Sequence, residues 1–435
     1  MTSGLTEDQR RAHDEILAAT GRGERYLLTG YAGSGKTFLM QRLTHSWRMR
    51  GLRVALTAPT HKAVAVLKRK LQEAKIEEVP CLTVFSLLGL RPKIQADREV
   101  YVRDKRAQAV TTDVVVIDEC SMLGEDLMAH IRRHLPLSFV LFVGDPAQLP
   151  PVGEAASQAF EVKRRSHLST IVRQSAENPL LAAAHAIREG QGKPVDWSWC
   201  RSAAVPPLGV YLPGAAADDW MRQGFLSPAF EENPDNFRYL AWTNARVHEV
   251  NQKIRRWRYG DRALVPFVPG EFALIRKPIL LDKTVLFSTN EEAEVNGIER
   301  SSIEHYICKS GDCAGWMATV PTWRVTLLRK DFGPVPVEMV ADAAAYQRVI
   351  ARITDEATAG CRDRWEHLFE FKESLANLQS IYAMTVHTSQ GSTFRNAFVD
   401  IPDIRRRAAS NPLEMQQMLY VAATRPSRAL VLVGA

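Results

Sequence analysis

Gly30-Tyr31-Ala32-Gly33-Ser34-Gly35-Lys36-Thr37 fits the spacing G-x-x-x-x-G-K-[ST]. In such a loop the backbone N–H groups of Gly33, Ser34 and Gly35 converge on phosphate oxygens, Lys36 reaches the β/γ-phosphates and the Thr37 hydroxyl meets Mg²⁺. A second stretch, Val114-Val115-Val116-Ile117-Asp118-Glu119, is an apolar run that ends in two carboxylates. Asp118 suits Mg²⁺ coordination and Glu119 suits a base that orients an attacking water. Together the two stretches specify hydrolysis of a nucleoside triphosphate and leave open what the hydrolysis drives.

This chemistry requires a strand before the loop and a helix after it. Thr6 to Gln9 reads as a capping box opening a helix that stops near Gly21. A strand over Tyr26–Thr29 then runs into the loop, and a helix extends from Lys36 to about Arg50 before Gly51. Buried-type strands follow at Val54–Ala58, Val114–Ile117 and Phe139–Val143, and continuous apolar runs separated by helices predict a parallel sheet covered on both faces. Alternation in Glu99–Arg103 predicts a small hairpin within 89–110. Alternating strand and helix resumes from Leu168 to Trp257. Short strand-like runs such as Lys283–Ser288 and Arg324–Leu328 predict a β-rich insertion from about Asp261, followed by a helical stretch from about Pro336 to Leu378 and a closing strand at Ala429–Val433.

At 435 residues the chain is long enough for about three domains. An apolar fraction of 46% and a charged fraction of 24% exclude disorder, collagen and low complexity. No apolar run approaches the length of a membrane span and the polar start lacks a leader's apolar core, so a cytoplasmic protein without membrane contact is expected. Fifty-six Lys and Arg against 49 Asp and Glu give a formal charge of +7, which favours an anionic partner without naming one. The six cysteines are scattered, and Cys308 with Cys313 lacks a second ligand pair at zinc spacing, so reduced structural thiols are expected.

Gly144-Asp145-Pro146-Ala147-Gln148-Leu149-Pro150-Pro151-Val152-Gly153 follows the third apolar strand. With it the chain resembles superfamily 1 DNA helicases of the 1B branch that contains RecD- and Dda-like enzymes. Thr57-Ala58-Pro59-Thr60-His61-Lys62-Ala63 resembles motif Ia, Asp118-Glu119-Cys120-Ser121 motif II, and Val172-Arg173-Gln174 motif IV. Thr385 to Thr393 resembles motif V and Tyr420 to Arg425 motif VI. The resemblance runs from residue 9 to residue 425 in family order.

It implies an α/β fold of two RecA-like parallel-sheet motor domains. The first spans 1–165 and carries the 89–110 hairpin. The second comprises 166–260 and 379–435 and carries a β-rich, SH3-like insertion with helices at 261–378. Gln148 is then a sensor of hydrolysis state, and Arg173 and Arg425 neutralise transition-state charge from the second half. Gln390 and Gly391 lie with the nucleotide, and Gln9 reads the adenine edge, although the capping box could use the same side chain. Tyr26 could stack on the base or pack in the core. Thr60, His61 and Lys62, Thr243 and Asn244, and Thr385, His387 and Ser389 are the candidate contacts to a DNA backbone. The clusters Lys68–Lys70, Lys163–Arg165, Arg255–Arg256 and Arg405–Arg407 extend that track or are solvated helix faces. Phe85 stands where relatives often carry histidine, and could stack a base or fill the core. Tyr101 is the hairpin's one aromatic residue, and no strand-separating residue is assigned.

The activity implied is an ATP- and Mg²⁺-dependent helicase moving 5′ to 3′ on single-stranded DNA and opening forked duplexes, with replication or recombination proteins as unidentified partners. Two rivals remain open: a translocase on RNA or RNA–DNA hybrid, and a nucleotide-gated binding module that does not unwind.

Overall fold

The computed structural model describes residues 4–95, 98–170, 178–190, 208–281, 284–309, 313–329 and 333–435. They form two compact units. One comprises Met1–Leu90, Arg103–Ile254 and Tyr382–Ala435, and the other Arg91–Val102 and Arg255–Ile381. The hairpin strands Leu90–Gln95 and Arg98–Arg103 are present, but residues 91–102, expected in the first domain, fall in the second unit.

The first unit holds two parallel sheets. One has the strand order Cys81–Thr83, Val54–Ala58, Val114–Ile117, Phe139–Gly144, Arg25–Gly30, Arg165–Leu168, and every neighbouring pair is parallel. Its central strands are buried residue by residue, as their unbroken apolar sequences require. The helix Lys36–Met49 lays Leu39, Leu43 and Trp47 on the core, all fully buried. Their spacing of four keeps them on one face, and each contributes about 1.5–3 kcal/mol by burial. The other sheet runs Ala383–Thr385, Phe237–Ala241, Phe394–Asp400, Pro426–Val433, Gly209–Tyr211, again parallel throughout. The helix Pro412–Thr424 lies in the apolar cluster around this second sheet.

The second unit is built on a five-stranded sheet in the order Gly333–Val340, Trp316–Arg329, Glu292–Ile307, Phe272–Ile275, Leu378–Ser380, antiparallel at each pairing. Arg255 is buried here against Glu271, at 2.8 Å, and also donates to the carbonyls of Ala263 and Val265. It is therefore removed from any surface track, and truncating one partner of such a pair costs about 3–5 kcal/mol. Two helices, Ala343–Thr358 and Arg364–Glu373, complete the unit. The helical stretch expected from Pro336 begins later, because Pro334-Val335-Pro336-Val337 alternates at period two and pairs with Val325–Leu328 as a strand. The expectation of free thiols throughout is also corrected. Cys313, ahead of the strand Trp316–Arg329, and Cys361, ahead of the Arg364 helix, are disulfide-bonded across 48 positions, a proximity that sequence separation hides. Cys81, Cys120 and Cys308 are free; Cys200 lies outside the described residues. Among those residues no helix is long and apolar enough to cross a membrane.

Candidate active site

Three adjacent strands of the first sheet deliver the chemistry to one edge. Thr29 is in register with Gly144, and Ile117 with Phe142, so the phosphate loop, Asp118-Glu119 and Asp145 all leave the sheet at its C-terminal side. Close packing dictates two glycines there. A Cβ on Gly30 would lie 2.6 Å from Ser34 Oγ, and one on Gly144 would lie 2.6 Å from Cys120 Sγ. Gly33 and Gly35 take φ of 81° and 80°, the left-handed region that side chains avoid.

The loop is formed for an anion. Ser34 is buried and its hydroxyl has no partner. The Lys36 ammonium donates to the carbonyls of Gly30 at 2.7 Å and Tyr31 at 3.0 Å. Thr37 opens the helix. Asp118 follows the buried strand. Desolvation, and the charge of Glu119 beside it, raise its carboxyl well above the usual range, while Lys36 pulls it down. Glu119 has φ 53°, a left-handed conformation that is uncommon for a side chain this long. Its N–H donates to Asp118 at 2.9 Å. A carboxylate disfavoured in its ionised form beside a lysine fits a site completed by a cation and a phosphate chain.

Gln9 is buried and engaged at both ends. Its Nε2 donates to the Ser34 carbonyl at 2.9 Å, and its Oε1 accepts from Thr6 N–H at 3.0 Å in the expected capping box. Tyr26 hydrogen-bonds Ser166 at 2.8 Å and packs in the core. Gln148 lies beyond Asp145 with a buried amide oxygen that no group satisfies.

The two sheets of this unit meet over the loop. Tyr420, from the helix Pro412–Thr424, accepts the N–H of Ala32 at 3.2 Å and donates to Asp145 at 2.5 Å. Arg188 donates to the other oxygen of Asp145 at 2.8 Å and lies over the Tyr31 ring at 4.1 Å. Gln390 donates to the carbonyl of Leu149 at 3.2 Å. Gly391, at φ 72°, leaves room for a side chain neither from Ala63 nor from Thr60, which lie 2.9 and 3.1 Å from its missing Cβ. Arg425 is buried and donates to the carbonyls of Val421 and Ser392, both at 3.1 Å. Burial lowers its guanidinium, and the charge of Glu119 opposes that shift. Arg173 lies outside the described residues. Sequence reasoning passed over Arg188; a lone arginine ending the otherwise small and apolar helix Pro179–Glu189 is the signal it carries.

The candidate DNA contacts divide. His61 is exposed at the start of its helix. Thr60 caps that helix by accepting from Ala63. Lys62 pairs with Asp235 at 3.5 Å and lies over Phe394. Thr243 is tied to Asp403 through its N–H and hydroxyl, and Asn244 begins the following helix. Thr385 bonds Thr388, and Ser389 is fully buried with its hydroxyl on the Val386 carbonyl. His387 faces Glu414 at 3.8 Å; burial lowers its imidazole more than Glu414 raises it. Phe85 is half-buried.

A phosphate-binding loop, paired carboxylates on the next strand but one, and a second parallel sheet hydrogen-bonded to the loop define a two-sheet nucleotide hydrolase of the RecA-like class. Comparison with known proteins agrees. A family model described as an AAA domain matches residues 4–202, and one described as a UvrD-like helicase C-terminal domain matches residues 380–433. The chain is 22% identical to the uncharacterized protein R530 of Acanthamoeba polyphaga mimivirus, over 93% of this chain and 94% of that one. It is 33% identical to the ATP-dependent RecD2 DNA helicase of Deinococcus radiodurans over 43% of this chain, spanning only 24% of that protein's length. The RecBCD enzyme subunit RecD of Mycolicibacterium smegmatis is 24% identical over 99% of this chain and 72% of its own. Over these stretches the chain is similar to RecD-type helicases.

Proposed function

We propose that the chain is an ATP-dependent DNA helicase that steps along single-stranded DNA from 5′ to 3′ and opens forked duplexes. The observation that carries the reading is the Tyr420 hydroxyl, which joins the phosphate loop at Ala32 to Asp145 on the neighbouring strand. A residue of the helix packed on the second sheet therefore touches the two segments of the first that a γ-phosphate would order, and hydrolysis there changes how the sheets are held. Lys36 leaves the carbonyls of Gly30 and Tyr31 for the phosphates. Thr37 and Asp118 would hold Mg²⁺, which would supply charge neutralisation on the phosphate chain. Glu119 orients water, Gln148 reads whether the γ-phosphate is present, and Arg425, with Arg173, neutralises charge from the second sheet. Gln9 reads adenine by exchanging its bond to Ser34 for one to the base.

The motor halves are 1–165, apart from the hairpin residues 91–102 that fall in the second unit, and 166–260 with 379–435, and 261–378 is an SH3-like insertion with helices. His61 and His387, with Thr60, Lys62, Thr243, Asn244 and Thr385, lie at strand ends where a backbone can be gripped without reading sequence. Ser389 serves by fixing the turn after Thr385. The reading places the protein in the cytoplasm, with partners in replication or recombination. Its test is ATP turnover with single-stranded DNA, RNA or no nucleic acid. Stimulation by DNA is expected, whereas stimulation by RNA alone would favour the RNA translocase.

A further inference from the structure

In the second unit, remote in sequence from the nucleotide chemistry, one strand and one helix bring three ligating side chains together. His305 lies near the end of the strand Glu292–Ile307, paired with Ala318 of the next strand. His367 and Glu370 lie on the helix Arg364–Glu373, and their spacing of three puts both on one helix face. Arg364, fully buried, anchors the start of this helix: it donates to the carbonyls of Cys308 and Ala314 and pairs with Glu356 at 2.7 Å. Phe371 of the same helix packs on the His305 ring, with centroids 5.8 Å apart.

Glu370 Oε2 stands 4.0 Å from His305 Nε2 and 3.8 Å from His367 Nδ1, and one ligand atom from each of the three residues lies within 4.8 Å of the others. The imidazoles meet edge to face, with centroids 5.7 Å apart. His305 Nε2 and His367 Nδ1 are both shut off from solvent and neither has a hydrogen-bond partner, although buried polar atoms usually have one. The carboxylate is too distant from either nitrogen to be that partner. Two orphaned nitrogens and one carboxylate oxygen thus stand around a common point. We infer that His305 Nε2, His367 Nδ1 and Glu370 Oε2 bind a Zn²⁺ ion, with water completing the tetrahedron.

Two imidazoles and a carboxylate suit zinc, whereas Mg²⁺ takes oxygen ligands. Zinc bonds of about 2.0–2.2 Å set tetrahedral ligand atoms about 3.4 Å apart, so closing the triangle takes side-chain movements of less than about 1 Å. Glu370, 56% exposed, is the arm that swings in. The tautomer must change as well. His367 Nε2 accepts the Cys308 N–H at 3.3 Å, which leaves the ring proton on Nδ1 in the metal-free chain. Binding moves that proton to Nε2, and the exposed Cys308 turns its N–H to water. The exchange costs one long hydrogen bond and releases no net proton from His367. The ion crosslinks the end of the strand to the helix, and so acts structurally within this unit.

The full-length chain, stripped with a chelator and desalted, is titrated with Zn²⁺ by calorimetry in excess Mg²⁺, which masks sites built of oxygen alone. About one zinc per chain is expected, with a melting temperature that rises with zinc concentration. Affinity should fall at least about tenfold in H305A, H367A and E370Q, and hold in C308S. E370Q is the safest of these variants, because Glu370 is exposed and the change keeps its size. A wild type that binds no zinc would overturn the site. So would binding that survives in all three ligand variants, or binding that is lost in C308S. Should the histidine variants fail to fold, Co²⁺ added to the wild type decides. Tetrahedral d–d bands without thiolate-to-cobalt absorption support the site, whereas thiolate absorption or weak octahedral bands overturn it.

Discussion

The Tyr420 hydroxyl donates to Asp145 at 2.5 Å while accepting the phosphate-loop N–H of Ala32. Both residues are buried, and burial together with the Asp145 charge raises the tyrosine's ionisation well above the ordinary phenol range. The hydroxyl thus stays protonated and the bond is constant across physiological pH. Tyr420→Phe leaves Asp145 with Arg188 and the Ala147 N–H, and leaves Ala32 without its acceptor. A stability loss of about 1–3 kcal/mol is expected in denaturant unfolding, with a larger loss of DNA-stimulated than of basal ATP turnover. Equal losses of both would reduce Tyr420 to a packing residue.

Lys36→Ala should remove ATP hydrolysis with the fold intact, because its partners in the structure are two carbonyls that can turn to water, whereas the β/γ-phosphates lose the ammonium that the loop motif supplies. Circular dichroism and steady-state turnover check this. Turnover above about a tenth of wild type would contradict the loop's assignment.

Glu119→Gln should retain ATP and DNA affinity and slow hydrolysis about 10²–10⁴-fold, the usual contribution of a positioned base. The amide keeps the side chain's size and the backbone bond to Asp118. If nucleotide affinity fell instead, the left-handed Glu119 would be serving the loop's shape.

Much of this site was legible from sequence because its parts are local. The phosphate loop and the Val114–Glu119 strand each carry their chemistry within eight residues, and the capping box at Thr6 and Gln9 is closed by bonds between those two residues. The continuous apolar strands Val54–Ala58, Val114–Ile117 and Phe139–Val143 likewise gave the first parallel sheet, whereas the second was expected from the resemblance. What did not show was long-range pairing. Arg188 meets Asp145, Arg255 meets Glu271 inside a core, and Cys313 meets Cys361, each fixed by packing that no spacing rule encodes. The strand at Pro336 was hidden by prolines, which occupy its outer edge at the end of the sheet order, where a missing N–H costs little.

Arg425→Lys should lower turnover far more than ATP affinity, since it keeps a charge near Glu119 but loses the fork that bonds Val421 and Ser392. Nucleotide titration and turnover separate the two. A matched loss in both would make Arg425 a ground-state binding residue.

DNA affinity should fall steeply with salt and differ little among sequences, as backbone gripping requires. Burial keeps His387 neutral near pH 7, so His387→Ala should weaken binding without changing the salt slope. A slope reduced by about one would show that His387 binds as a cation.

Unwinding of a forked DNA duplex tests the central claim most directly, run with ATP and Mg²⁺, without ATP, and with Lys36→Ala. Strand separation is expected only for the wild type with ATP, and faster on duplexes with a 5′ single-stranded tail than on those with a 3′ tail. Faster separation from the 3′ tail would reverse the polarity and leave the motor standing. ATP hydrolysis stimulated by DNA with no separation of any fork would contradict the account and leave a nucleotide-gated clamp.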